Sequence, residues 1–122
     1  LTQATEYAKT RHQFGQPISK YQAISHKLAD MQVSVTISRF LVYRYADRLD
    51  RGKATTQDAA ILKLYSGESY KAVADAGLQV LGGYGYTMDY DLQRHFRESR
   101  LGTIGGGTSE IQRNIIAKTM GL

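Results

Sequence analysis

Apolar residues in this chain recur in steps of three and four over two long stretches, with a short polar break between them. From Ser19 onward, Ile24, Leu28, Met31, Val35, Val42, Tyr45 and Leu49 fall on one side of a helix. Val33, Ile37, Phe40 and Leu41 form a second strip that should widen the buried face. Ser19 with Gln22 has capping-box spacing at the start, and Gly52 suits the position after the end. The second stretch opens on Thr55 and Asp58, again at capping-box spacing, and runs to about Leu81. Its alanines and Gly67 let another helix come close. It should stop at Gly82-Gly83.

Shorter elements flank these two. Leu1 to Thr10 suits a helix, stopped by Gly15 and Pro17. Tyr84 to Asp89 reads as a loop, and Asp89 or Asp91 can cap a short helix through about Arg100. The glycine-rich stretch from Leu101 to Gly107 should not be helical. Thr108 or Ser109 then caps a last helix with Ile111, Ile115, Ile116 and Met120 as its apolar side. No segment alternates with period two, so almost no strand is expected. The fold class is all-α: an antiparallel up-down four-helix bundle whose first helix is truncated. The first residues read as the middle of a helix, so the chain is expected to be a fragment of a larger protein.

Composition narrows the chemistry. With 122 residues the chain makes one domain, and 42% apolar with 22% charged residues marks it as globular. The absence of cysteine removes disulfides and thiol chemistry. Its three histidines, His12, His26 and His95, lack metal-ligand spacing, so no metal is expected. The net charge of +5 comes without any nucleic-acid reading motif, and no apolar run approaches membrane-spanning length.

Three stretches carry candidate chemistry, each with two readings. Gly82-Gly83-Tyr84-Gly85 is either a helix stop followed by a turn, or a place where backbone closely approaches a ligand. Gly105-Gly106-Gly107-Thr108-Ser109-Glu110 is either a linker with an ordinary N-cap, or a helix start that attracts anions. Arg11 either complements a helix dipole beside a buried Phe14, or forks onto a phosphate with Phe14 against a flat ring.

In their order, these stretches resemble one family, the acyl-CoA dehydrogenases, in their C-terminal helical domain. The matching pieces are Arg11-x-x-Phe14-Gly15-x-Pro17-Ile18, Gln22, and Gln79-x-x-Gly82-Gly83-x-Gly85-Tyr86. Arg94-x-x-Arg97-x-x-Arg100 and Ile104-x-x-Gly107-Thr108-Ser109-Glu110-Ile111-Gln112-Arg113 follow. The resemblance covers essentially all of the chain, residues 1–122. It implies an FAD enzyme that oxidises an acyl-CoA to the trans-2-enoyl-CoA and passes electrons to an electron-transferring flavoprotein. It also implies a homotetramer or homodimer, in the bacterial cytoplasm or the mitochondrial matrix.

By the same resemblance, Arg11 would contact the cofactor's pyrophosphate with Phe14 packing nearby. Gln22 matches a position on the second helix. Gln79, Gly82 and Gly83 would meet the adenosine side of a neighbour's FAD, and Thr108 and Glu110 would bind FAD at the start of the last helix. One position departs from the pattern. Many members carry a catalytic glutamate immediately before the Gly-Thr pair, where this chain has Gly106. Other branches carry the base on the first helix of the bundle, upstream of Leu1. No catalytic residue is therefore assigned within the chain. The alternatives are a non-catalytic assembly module, or a related flavin oxidase or monooxygenase on the same scaffold.

Overall fold

A computed structural model describes all residues, Leu1 to Leu122. The order is α1 (Thr2–Thr10), β1 (His12–Gln13), β2 (Gln16–Pro17), a 3-10 turn (Ile18–Lys20), α2 (Gln22–Asp50) and α3 (Thr56–Leu81). Then come α4 (Gly83–Tyr86), α5 (Leu92–Leu101) and α6 (Ser109–Thr119). The fold is all-α apart from the two-residue strands. At 1.5 Å per residue, the 29 residues of α2 and 26 of α3 make rods of about 40 Å.

The ends of the long helices form as their residues dictate. Thr55 Oγ1 accepts from Asp58 N at 3.1 Å and Asp58 Oδ2 accepts from Thr55 N at 3.0 Å, a complete capping box. At the end of α2, Lys53 N donates to Arg48 O (2.8 Å) and Gly52 N to Leu49 O (3.0 Å). With Gly52 at φ 64°, this is a Schellman motif. Thr108 caps α6, its hydroxyl accepting from Ile111 N.

Four expectations need correction. Ser19 does not cap α2. Tyr21 N donates to Ile18 O at 3.1 Å, so the chain makes a 3-10 turn after Pro17 and enters α2 only at Gln22. Tyr84 to Tyr86 is not a loop but the greater part of the one-turn helix α4, because the chain folds back on the end of α3. There Gly85 packs so closely that a Cβ would stand 2.5 Å from Leu78 O. The second apolar strip of α2 does not widen its buried face. Val33, Ile37 and Phe40 point outward, and only Leu41 turns in. Val42 and Leu49, expected inside, are also exposed.

His12 to Pro17 forms a tight hairpin, with His12 opposite Pro17 and Gln13 opposite Gln16. Its two tip residues, Phe14 (φ 52°) and Gly15 (φ 84°), are both left-handed, as in a type I′ turn. For a bulky side chain such as Phe14 that conformation is strained.

α3 is the hub, and α1, α2, α4, α5 and α6 all pack on it. The core is thin, with only 14 of 122 residues buried, so small side chains set how near the helices come. Ala4, Ala8, Met31, Val80, Leu81 and Leu92 form its main cluster. Gly77 leaves room there: a Cβ on it would stand 2.9 Å from Leu92 Cδ1 and 3.3 Å from Met31 Cε.

Candidate functional site

Two clefts open on α3. The first, of about 500 Å³, lies where α1 ends against the α3–α4 junction. Arg11 reaches it from the C-cap of α1, Gln79 from the last turn of α3, and Gly82, Gly83 and Tyr84 from the junction. Gly82 has φ 58° and ψ −134°, a conformation left almost entirely to glycine. Gly83 has an ordinary φ, and nothing lies within 4 Å of where its Cβ would be. The bare backbone at Gly83 therefore faces open space.

Arg11 makes no salt bridge. Its guanidinium carbon lies 5.8 Å from the ring centroid of Tyr84, within cation–π range. Tyr7, Tyr84 and Tyr90 form a triangle of rings with centroids 6.1 to 6.2 Å apart. An exposed arginine without a carboxylate, beside open glycine backbone, is suited to a phosphate or pyrophosphate.

The second cleft, of about 600 Å³, lies between α3, α5 and the start of α6. Lys71 and Arg100 bring positive charge to it, Glu68 and Asp75 negative charge, and Thr108 and Glu110 form its α6 edge. The Glu110 backbone N–H and the Thr108 hydroxyl hold the Glu110 carboxyl below the usual glutamate value, with smaller help from Arg113 and Arg100. Glu110 is therefore a carboxylate at neutral pH, able only to accept hydrogen bonds.

The structure thus gathers Arg11, Gln79, Gly82 and Gly83 at one cleft and Thr108 and Glu110 at the other. Phe14 and Gln22 line neither. Phe14 is 92% exposed at the hairpin tip, its ring edge-on to Tyr21 at 6.4 Å. Gln22 is the exposed first residue of α2. Sequence reasoning did not single out Tyr7, Tyr84, Lys71 or Arg100 as cleft residues. Tyr84 carried a signal, since it stands between the glycines of the junction motif.

Gly106 has φ 66°, and the nearest atom to a Cβ there would be Lys63 Cε at 3.7 Å. Lys63 Nζ donates to Gly102 O at 2.7 Å, so this lysine ties the glycine loop to α3. The three glutamates besides Glu110 are all paired: Glu6 with Lys9, Glu68 with Arg113, and Glu98 with Arg94. No cluster of acidic or histidine side chains could hold a metal ion. No helix is long and apolar enough to cross a membrane.

A sequence model of the family described as "Acyl-CoA dehydrogenase, C-terminal domain" matches residues 1–121. The chain belongs to the acyl-CoA dehydrogenase family. Among curated relatives, it is 40% identical over 120 residues to a 3-(aryl)acrylate reductase of Clostridium sporogenes, covering 98% of this chain and 32% of the relative. Among solved structures, butyryl-CoA dehydrogenase from Megasphaera elsdenii matches with TM-score 0.96 and 39% identity, over 99% of this chain and 32% of that one. An FAD complex of PigA matches with TM-score 0.95 and 32% identity, over 99% and 32% of the two chains. The chain thus spans about a third of the length of the curated relatives it matches.

Proposed function

We propose that residues 1–122 are the C-terminal helical domain of an FAD-dependent acyl-CoA dehydrogenase, where they grip the cofactor and join subunits. The observation that carries this reading is the meeting of Arg11, Gln79, Gly82 and Gly83 around one cleft, in a chain matched by the family from end to end. The donor set fits a dinucleotide. Arg11 offers a free guanidinium for a pyrophosphate, and Gly83 lets backbone approach an adenosine. Phe14, strained and exposed, offers a ring at the hairpin tip, and strain of this kind gathers at ligand sites. At the other cleft, Thr108 and ionised Glu110 can accept from ribose hydroxyls while Lys71 and Arg100 balance charge.

Bound FAD would supply the two-electron acceptor for the oxidation of an acyl-CoA to its 2-enoyl product. This chain's residues hold and orient. We assign the substrate α-proton to none of them: Gly106 has no side chain, Glu6, Glu68 and Glu98 are ion-paired, and Glu110 stands at the proposed cofactor contact. We place the base upstream of Leu1, on the preceding part of the first helix. Electrons would leave to an electron-transferring flavoprotein, and the enzyme would be a homodimer or homotetramer.

The test is anaerobic mixing of the intact protein with a series of acyl-CoA thioesters. Loss of the flavin absorbance with formation of enoyl-CoA is expected. Flavin that stays oxidised with every thioester would overturn the dehydrogenase reading and favour an assembly module. The 3-(aryl)acrylate reductase likeness motivates a second reading, with the same scaffold working toward the saturated acid. Reoxidation of chemically reduced enzyme by an arylacrylate, faster than any acyl-CoA oxidation, would select it.

A further inference from the structure

We infer that Tyr84 is a positioning residue, which holds the Arg11 guanidinium ready for the cofactor's pyrophosphate. The inference rests on the flavin reading and adds to it the source of Arg11's order. An exposed arginine loses up to about 2 kcal/mol of rotamer freedom when it is immobilised. Arg11 has no carboxylate to hold it beforehand, and the Tyr84 ring stands 5.8 Å from its guanidinium carbon.

Tyr84 is itself fixed at its backbone. Thr87 Oγ1 donates to Tyr84 O at 2.9 Å, and the neighbouring Gly85 is pressed against Leu78 O. Tyr7 and Tyr90 pack beside the ring, each with its centroid 6.2 Å away. The ring is half exposed and lines the first cleft. Apart from its carbonyl contact to Thr87, Tyr84 makes no side-chain hydrogen bond. The ring face, and not the hydroxyl, is what acts on Arg11.

The test is a double-mutant cycle in the intact protein, read as FAD affinity of the apoprotein by fluorescence titration. Tyr84→Leu is expected to weaken binding about tenfold, the size of a partly desolvated cation–π contact. Tyr84→Phe should stay within about twofold of wild type, because the ring is kept. Adding Tyr84→Leu to Arg11→Gln should cost less than about twofold more. Three results would overturn the inference: Tyr84→Leu binding as wild type, Tyr84→Phe failing as badly as Tyr84→Leu, or equal losses with and without Arg11. The last would mean that the ring touches the cofactor or supports the fold directly. If the wild type binds no FAD, the flavin reading falls and this inference with it. If the wild type binds and Tyr84→Leu matches it, only the inference falls.

Discussion

A Cβ built on Gly67 would stand 2.5 Å from the carbonyl oxygen of Gly102, so the backbones of α3 and the end of α5 touch with no side chain between them. The same oxygen accepts from Lys63, one turn earlier on α3. Gly67→Ala has no flexible neighbour to push aside. It should destabilise the protein by about 1–3 kcal/mol, read from the urea midpoint. An unchanged midpoint would mean that the glycine loop can lift away from α3 at no cost.

Gly83 offers the opposite case. Nothing stands within 4 Å of its would-be Cβ, so Gly83→Ala should leave stability within about 0.5 kcal/mol of wild type. FAD affinity should nevertheless fall, since the methyl group intrudes where ligand backbone contact is proposed. Calorimetric melting and flavin titration on one preparation separate the two effects. Full affinity in the variant would leave this glycine as a helix stop and nothing more.

The Thr55–Asp58 box makes a pH-dependent contribution. The Thr55 hydroxyl and backbone N–H hold the Asp58 carboxyl below its ordinary 3.8, with Arg48 and Arg44 adding to them. The folded state then binds this proton less readily than the unfolded state, so stability rises with pH through that window. The contribution is complete above about the ordinary value and disappears as pH falls through the depressed one. Asp58→Asn should therefore lower Tm at pH 7 and converge with wild type in strong acid. Thr55→Ala should cost about 1 kcal/mol as a lost cap. Parallel Tm-against-pH curves for Asp58→Asn and wild type would contradict the assignment.

Gly106 and Gly107 differ in what surrounds them. Gly106→Ala meets only Lys63 Cε at 3.7 Å and should cost about 1 kcal/mol for its left-handed backbone. Gly107→Ala adds a clash at 2.7 Å with Gln112 Nε2, which donates to Gly106 O and Gly107 O. It should cost about 2–3 kcal/mol. Turnover of Gly106→Ala should stay near wild type, because no proton passes through this position. A large drop in turnover would mean that a methyl group at this position obstructs the reacting site.

The outward strip of α2 bears on assembly. Ile37 and Phe40 are 40% and 67% exposed on one side of a helix otherwise packed on α3. In the proposed oligomer this strip meets another subunit, so Ile37→Lys with Phe40→Glu should reduce the particle mass by light scattering. A mass equal to wild type would move the interface elsewhere.

Periodicity and capping placed the long helices well, since both are local. Thr55 with Asp58, and Gly52 after α2, act within a few residues of themselves. What escaped was settled by contacts distant in sequence. The spacing of Val33, Ile37 and Phe40 marks them as one face, but only the single cover supplied by α3 decides that the face points outward. The glycines at 82, 83 and 85 forecast a break. They did not forecast that Gly85 would bring the chain back onto Leu78 and wind a turn of helix there. Arg11 and Gly82 were local candidates with two readings each, and only the resemblance added Gln79 and joined the three in one site, because nothing local says that the end of α1 reaches the end of α3. Tyr84's place beside Arg11 depends on that same meeting.

Both clefts take residues from the one helix α3, Glu68 to Asp75 at one and Gln79 to Leu81 at the other. Their centres lie some nine residues apart, about 14 Å at 1.5 Å per residue. An unbroken helix is a stiff ruler, because changing its length means breaking backbone hydrogen bonds. Occupants of the two clefts would keep this spacing whatever the surrounding loops do. A signal carried between them by α3 would travel as a shift or rotation of the whole rod, felt at both ends at once.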